Sequence, residues 1–278
     1  MDAILDDIAR ALDQGGVVPY LGPELLEQNG EIPVPASFED LAARLSARVT
    51  VPFKIRANMT ATAQYIENFK HRKTLVAMMK EIFQPPVSPS SLHRYFASLP
   101  HLPLLVDTWY DAAAQSALAG RQNWGQIQGV SRAEHRDQWV KYYQADGGET
   151  DVAQAAGWDT VLYKPFGSIA PAANFIVSDS DFVEVLTEID IQTPIPPVVQ
   201  ELRTGRSFLF IGCRFRNQLE RAYARQTMKR SSEGPHWAVL PGELTRNEIK
   251  FLEEQNMRRL NIAPADFFAA LCGLPIAA

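Results

Sequence analysis

Apolar residues recur at helical intervals at Ile4, Leu5, Ile8, Ala11 and Leu12, and Gly15-Gly16 close the run. This is the pattern of an amphipathic helix with a glycine end. Val17–Leu21 follows as a short apolar run of strand type, leading into Gly22. Ser37 with Asp40 three residues on resembles a capping box for a helix over Phe38–Arg48. Helical spacing continues through Thr60–Lys70 and Thr74–Phe83, until Pro85, Pro86 and Pro89 interrupt it. Leu102–Val106 is a second strand-length apolar run, with a helix predicted after it at Ala112–Ala119.

From Gly120 to Gly157 the periodicity weakens, and Gly125, Gly129, Gly147 and Gly148 punctuate an aromatic and polar stretch. The expectation is a small irregular insertion over about 120–158, outside the core. Strand and helix patterns then alternate: Thr160–Tyr163, Asp181–Ile189, Pro197–Thr204, Ser207–Ile211, Asn217–Lys229, His236–Leu240, Thr245–Gln255, Arg258–Ile262 and Ala265–Cys272. Short apolar strands separated by helices of this length predict crossover units, hence a mainly parallel α/β sheet with helices on both faces. The whole chain, 1–278, is read as one domain, with the segment at about 120–158 as a possible insertion or subdomain within it.

Composition narrows the classes. Hydrophobic content of 46% and charged content of 21% over 278 residues are those of a globular chain with a sizeable core. The net charge of −5 argues against a general nucleic-acid binder, which needs a clustered basic surface. The acidic start MDAILDDIAR is unlike a signal peptide, and no apolar run reaches membrane-spanning length. A cytoplasmic protein without membrane or nucleic-acid partners is expected. Cys213 and Cys272 are the only cysteines, both in apolar contexts, and are read as buried free thiols. His71, His101, His135 and His236 show no metal-ligand spacing, so no metal is expected. His93, within an apolar helix pattern, is read as packed and hydrogen-bonded.

Four segments carry candidate chemistry. Tyr20-Leu21-Gly22-Pro23-Glu24-Leu25-Leu26 passes from strand to helix, where a glycine turn can present N–H groups to a phosphate or can simply be a turn. Asp107-Thr108-Trp109-Tyr110-Asp111 lies at the carboxyl end of a predicted strand, where open α/β sheets bind ligands. Asp111 reads equally as a cap for the next helix. Tyr163-Lys164-Pro165-Phe166-Gly167-Ser168 forms a third strand-end turn, followed by an acid-rich helix start at Asp179, Asp181 and Glu184. Phe208–Cys213 is the fourth, with Asn217 and several arginines after it.

In order and spacing these segments resemble the SIR2-like branch of the sirtuin family, from about Val17 to Leu271. The resemblance implies a Rossmann-like α/β fold and a dinucleotide ligand, NAD or ADP-ribose. It implies cofactor contacts at Gly22, Thr108, Trp109, Tyr110, Phe166, Gly167, Ser168, Gly212, Cys213 and Asn217. This chain departs from the family at several of them. The family has Gly-Ala-Gly-x-Ser where Gly22 is followed by Pro23, Glu24 and Leu26; proline removes an N–H donor. It has Thr-Thr-Asn-Tyr-Asp, whereas Asp107 and Trp109 replace a threonine and the asparagine that positions ribose and water. It has Lys-x-His-Gly-Ser, and the histidine that acts as general base is Phe166 here, which cannot move a proton. The protein-deacylating members also carry a four-cysteine zinc module, which two cysteines cannot build. The expectation is a nucleotide-binding, sensor or partner-binding protein, catalytically degenerate. Two alternatives stand beside it: an NAD glycohydrolase or deacylase-like enzyme with Asp107 and Asp111 as catalytic groups, and an interaction protein whose pocket is filled by Trp109, Phe166 and Leu26.

Overall fold

The computed structural model describes residues 2–191 and 195–273. In chain order the elements are α1 (Asp2–Asp13), β1 (Val17–Leu21), a 3-10 turn at Pro23–Asn29, α2 (Phe38–Arg48), α3 (Met59–Lys70), α4 (Arg72–Phe83) and α5 (Ser91–Ser98). There follow β2 (Leu104–Asp107), α6 (Ala113–Leu118), β3 (Trp124–Gly129), β4 (Val140–Gln144), β5 (Glu149–Thr150), α7 (Val152–Ala155) and β6 (Thr160–Lys164). The chain continues through β7 (Gly167–Ser168), β8 (Asn174–Phe175), α8 (Asp179–Ile191), α9 (Pro197–Arg203) and β9 (Ser207–Ile211). It closes with α10 (Gln218–Met228), β10 (His236–Val239), α11 (Arg246–Glu254), β11 (Met257–Leu260) and α12 (Pro264–Leu271).

The nine-stranded sheet runs β11-β10-β9-β1-β2-β6-β3-β4-β5. Every pairing from β11 to β3 is parallel, and only the β3–β4 and β4–β5 pairings are antiparallel. This is the Rossmann-like sheet expected, and alternation along β1 shows how it is covered. Val17 and Leu21 pack on one face with α1, α5, α6 and α12, while Val18 and Tyr20 pack on the other with α9, α10 and α11. Burial on both faces is why these strands read as unbroken apolar runs.

The segment over 120–158 departs from expectation. Trp124–Gly129 is buried along its whole length and pairs in parallel with β6, so it is a strand of the main sheet. Its glycines hid it: Gly125 lies where a Cβ would strike the Trp158 ring, and Gly129 where one would strike the Pro165 carbonyl. Ser37 also forms only half of a capping box, since its Oγ accepts from the Asp40 N–H while the Asp40 carboxylate turns to Arg44.

A third apolar cluster lies over the carboxyl ends of β2 and β6, formed by α2, α3 and α4 with Trp109, Tyr110, Phe166, Phe175 and Phe182. Arg72, at the start of α4, fastens this layer. Its guanidinium pairs with Asp181 at 2.7 Å, with Glu67 and with Glu134, and donates to the Phe175 carbonyl. Asp181 in turn accepts from the Val177 and Ser178 N–H groups and the Ser131 hydroxyl.

Candidate functional site

β1 and β9 are the central neighbours from which the chain progresses outward in opposite directions, through β2 on one side and β10 on the other. The crevice at such a switch point is where open α/β sheets take ligands. Gly22 and Gly212 stand at these two strand ends, and the chain itself joins them. Gly22 N–H donates to the Ile211 carbonyl at 2.9 Å and Glu24 N–H to the Gly212 carbonyl at 3.1 Å. A Cβ on Gly22 would lie 2.3 Å from the Gly212 oxygen. Gly212 has φ +71, and a Cβ there would lie 2.5 Å from the Leu25 nitrogen. Glycine is required at both positions, but the close approach it permits is between chain segments rather than to a ligand.

On the β2 side, Thr108 donates both N–H and hydroxyl to the Leu21 carbonyl, stitching β2 to β1. Asp107 is buried and accepts from the Trp109 N–H at 3.0 Å and from Lys164 Nζ at 2.7 Å. Burial pushes its carboxyl above the ordinary range, and the Lys164 ammonium opposes that push. Lys164 also donates to the Asp111 carbonyl at 2.8 Å. The Asp111 carboxylate accepts the Ala113 N–H at 2.8 Å, which ties it to the first residue of α6, while the cap position itself is held by Ala112. The Ser168 hydroxyl rests on the Tyr110 and Asp111 carbonyls. Gly167, at φ +88, turns the chain where a Cβ would lie 2.1 Å from the Asn174 oxygen.

The ring-bearing motif positions are interior. Trp109 is 1% exposed, and its indole N–H donates to the Pro35 carbonyl at 2.7 Å. Its ring packs edge-on against Phe38 and Phe83 and beside Tyr110. Tyr110 gives its hydroxyl to the Ile176 carbonyl at 2.7 Å. Phe166 is wedged between Phe182 and Tyr223, with ring centroids 5.0 and 4.7 Å away. Leu26 belongs to the same cluster. The motif segments therefore meet at one sheet edge, but Trp109, Tyr110 and Phe166, which the family resemblance casts as cofactor contacts, are buried in the apolar layer above it. Aromatic burial outweighs any exposed arrangement, since each ring removes a large apolar area from water.

Hollows remain along this edge. One, of about 220 Å³, is lined by Glu24, Glu27, Gln28, Gly212, Cys213, Arg214, Pro241 and the Ala263–Ala265 start of α12, with Val239 and Leu240 behind. The half-buried Glu24 carboxylate has no hydrogen-bond partner among the described residues. Burial raises it to about 7, against the attraction of Arg214 and with added repulsion from Glu27. It neither sits on backbone N–H groups nor points freely into solvent. Arg214 is committed elsewhere, to Glu248 at 3.1 Å and to the Pro241 and Glu243 carbonyls. Cys213 is buried, and burial raises its thiol well above the ordinary value; Cys272 is exposed, correcting the expectation of two buried thiols. The second hollow, about 420 Å³, lies among the starts of α2, α3, α8 and α10. Asn217 lines it while forming a reciprocal capping box with Glu220, so Asn217 does not share a cavity with Gly212.

Pattern reading missed Gln28 and the α12 start as parts of this edge. A usable signal existed: Pro264 at a first helical position after an apolar strand marks another strand-to-helix turn, and such turns share one edge of a parallel sheet. His93, by contrast, is where its context put it, buried in a reciprocal cap with Ser90 and lowered to about 4 by desolvation.

A mostly parallel sheet with the motif segments gathered at its switch point defines a Rossmann-like α/β domain. A family profile described as SIR2-like domain matches residues 103–260, more than half of the 278-residue chain, and the chain belongs to that family. SIR2-like domains are generally NAD-related, so membership suggests NAD-related binding or enzymatic function. A comparison with characterised individual proteins gives no match. Among the described residues there is no grouping of three His, Cys, Asp or Glu side chains suited to a metal ion, and no helix long and apolar enough to cross a membrane.

Proposed function

We infer that this chain is a SIR2-like protein that does not cleave NAD and works as a sensor or partner-binding unit. The observation that carries this is the ring of Phe166 locked between Phe182 and Tyr223, in one apolar cluster with a Trp109 indole anchored on Pro35. The positions that correspond to a proton acceptor and a carboxamide thus hold groups that can do neither job. An intact dinucleotide does not fit the residues present: Leu25 occupies the space over Gly212, and rings occupy the space over β2 and β6. Any nucleotide contact would be confined to the hollow beside Gly212, with NAD or ADP-ribose bound weakly or not at all.

The alternative enzyme built on Asp107 and Asp111 has less support. One carboxylate is spent on Lys164 and the other on the α6 start, and neither lines a hollow. The filled-pocket interaction protein shares the same supporting geometry and differs only in whether any nucleotide binds. Purified protein incubated with NAD is expected to release no nicotinamide above a buffer control. Phe166→His, which restores the family's residue, is expected to release none either and to cost about 1–3 kcal/mol, because a polar ring enters an apolar site. Turnover by the unmodified chain, abolished by Asp107→Asn, would replace this reading with the enzyme alternative. Calorimetric titration with NAD and ADP-ribose then separates a sensor from a chain with no nucleotide ligand.

A further inference from the structure

The 220 Å³ hollow beside Gly212 has a chemistry of its own. Its walls are mainly apolar, supplied by Val239, Leu240, Pro241, Ala263, Pro264 and Ala265. Its polar groups are few. Glu24 and Glu27 bring two carboxylates with no hydrogen-bond partner among the described residues, and Gln28 brings a buried Nε2 that is likewise unpartnered. The cation in the lining, Arg214, is held on Glu248 and two carbonyls, and Glu248 is fully buried beneath it. The charge presented to a ligand is therefore negative. Apolar walls with a few unpaired polar groups are the usual composition of a small-molecule site, and this volume admits a ligand smaller than a typical drug.

We propose that this hollow binds a small organic ammonium compound, with an apolar body against Pro241 and Ala263–Ala265 and its ammonium group on Glu24 and Glu27. This rests on the reading above that the family's cleft is filled, because a diphosphate lying over Gly212 would meet the same carboxylates. An ammonium–carboxylate hydrogen bond is among the stronger polar contacts, and unpaired carboxylates lose little by exchanging water for it. An anionic ligand of equal shape meets the repulsion of both carboxylates, opposed by the α12 N-terminus and by an Arg214 already paired with Glu248.

The test uses three probes of one shape: tyramine, tyrosol and 4-hydroxyphenylacetate, which carry a cationic, a neutral and an anionic end on the same phenol. Binding to the full chain is followed at pH 8, above the Glu24 value of about 7, by ligand-observed NMR and calorimetry. Tyramine is expected to bind at least about tenfold more tightly than 4-hydroxyphenylacetate, a difference of one charge-assisted contact. Glu24→Gln is expected to erase most of that preference, and Ala265→Phe, at an exposed rim position, to weaken all three probes by filling the hollow. Equal binding of the three, preference for the anion, no binding of any, or a preference that survives Glu24→Gln would overturn the proposal. Nicotinamide release is scored on the same preparation, so failure of the non-cleaving reading is seen separately from failure of the ammonium site.

Discussion

Above β2 and β6 the motif positions carry rings, and Trp109, Tyr110 and Phe166 are packed beyond the reach of water. Above β9 and β10 they carry Gly212 and Cys213, and a hollow bounded by Glu24 remains. The two regions sit on one sheet and derive from one motif set, yet the first has become core while the second has stayed a surface. Side-chain bulk decides between these outcomes. A Trp or Phe at a strand end is stabilised by whatever apolar layer can close over it, here α2–α4 and α8. A glycine has nothing to bury and leaves its neighbours to define the space.

If the β2–β6 side is core, truncation there should be costly. Trp109→Ala removes a fully buried indole and its bond to Pro35, and is expected to lower stability by about 3–5 kcal/mol in urea denaturation. A change below about 1 kcal/mol would mean the indole only covers a cleft that is otherwise open. Lys164→Met leaves Asp107 as an unpaired buried carboxylate and is expected to cost a similar 3–5 kcal/mol. Adding Asp107→Asn to it should recover much of that loss, because the double change removes the stranded charge. Failure to recover would assign Lys164 a role beyond pairing. The β9–β10 side should respond weakly and through pH. Glu24 titrates near 7 in the folded chain and near its ordinary value of about 4.3 when unfolded. Between those values the folded state holds the extra proton, so this group's stabilisation is complete below about pH 4.3 and is lost as pH rises through 7. Glu24→Gln should therefore flatten the decline in denaturation midpoint between pH 5 and pH 8. The effect should be about 1 kcal/mol or less, since the side chain is only half-buried.

The parallel sheet was legible because its strands are covered on both sides: Val17–Leu21 and Phe208–Ile211 are uninterrupted apolar runs, and the observed strands are Val17–Leu21 and Ser207–Ile211. Trp124–Gly129 was not, because glycines at Gly125 and Gly129 make room for Trp158 and Pro165, and such packing leaves no periodic trace. At the edge, substitutions could be read residue by residue, but their consequences depended on distant partners. Nothing near Trp109 in the sequence announces the Pro35 carbonyl, and nothing near Phe166 announces Tyr223. Lys164 beside Gly167-Ser168 was visible as a motif remnant, whereas its use as the counter-ion of Asp107 appears only when β2 and β6 are placed side by side.

Arg72 carries a consequence for how the molecule opens. One guanidinium holds the end of α3, the loop after β3, the β8 carbonyl and the start of α8. Elements that share a single buried ionic hub cannot loosen one at a time without stranding a charge, so they form one cooperative unit of local unfolding. Amide protons across α3, α4 and the first turns of α8 should then exchange with a common opening free energy. The lid of rings over β2 and β6 is thus released in full or kept in full, with no partly lifted state between.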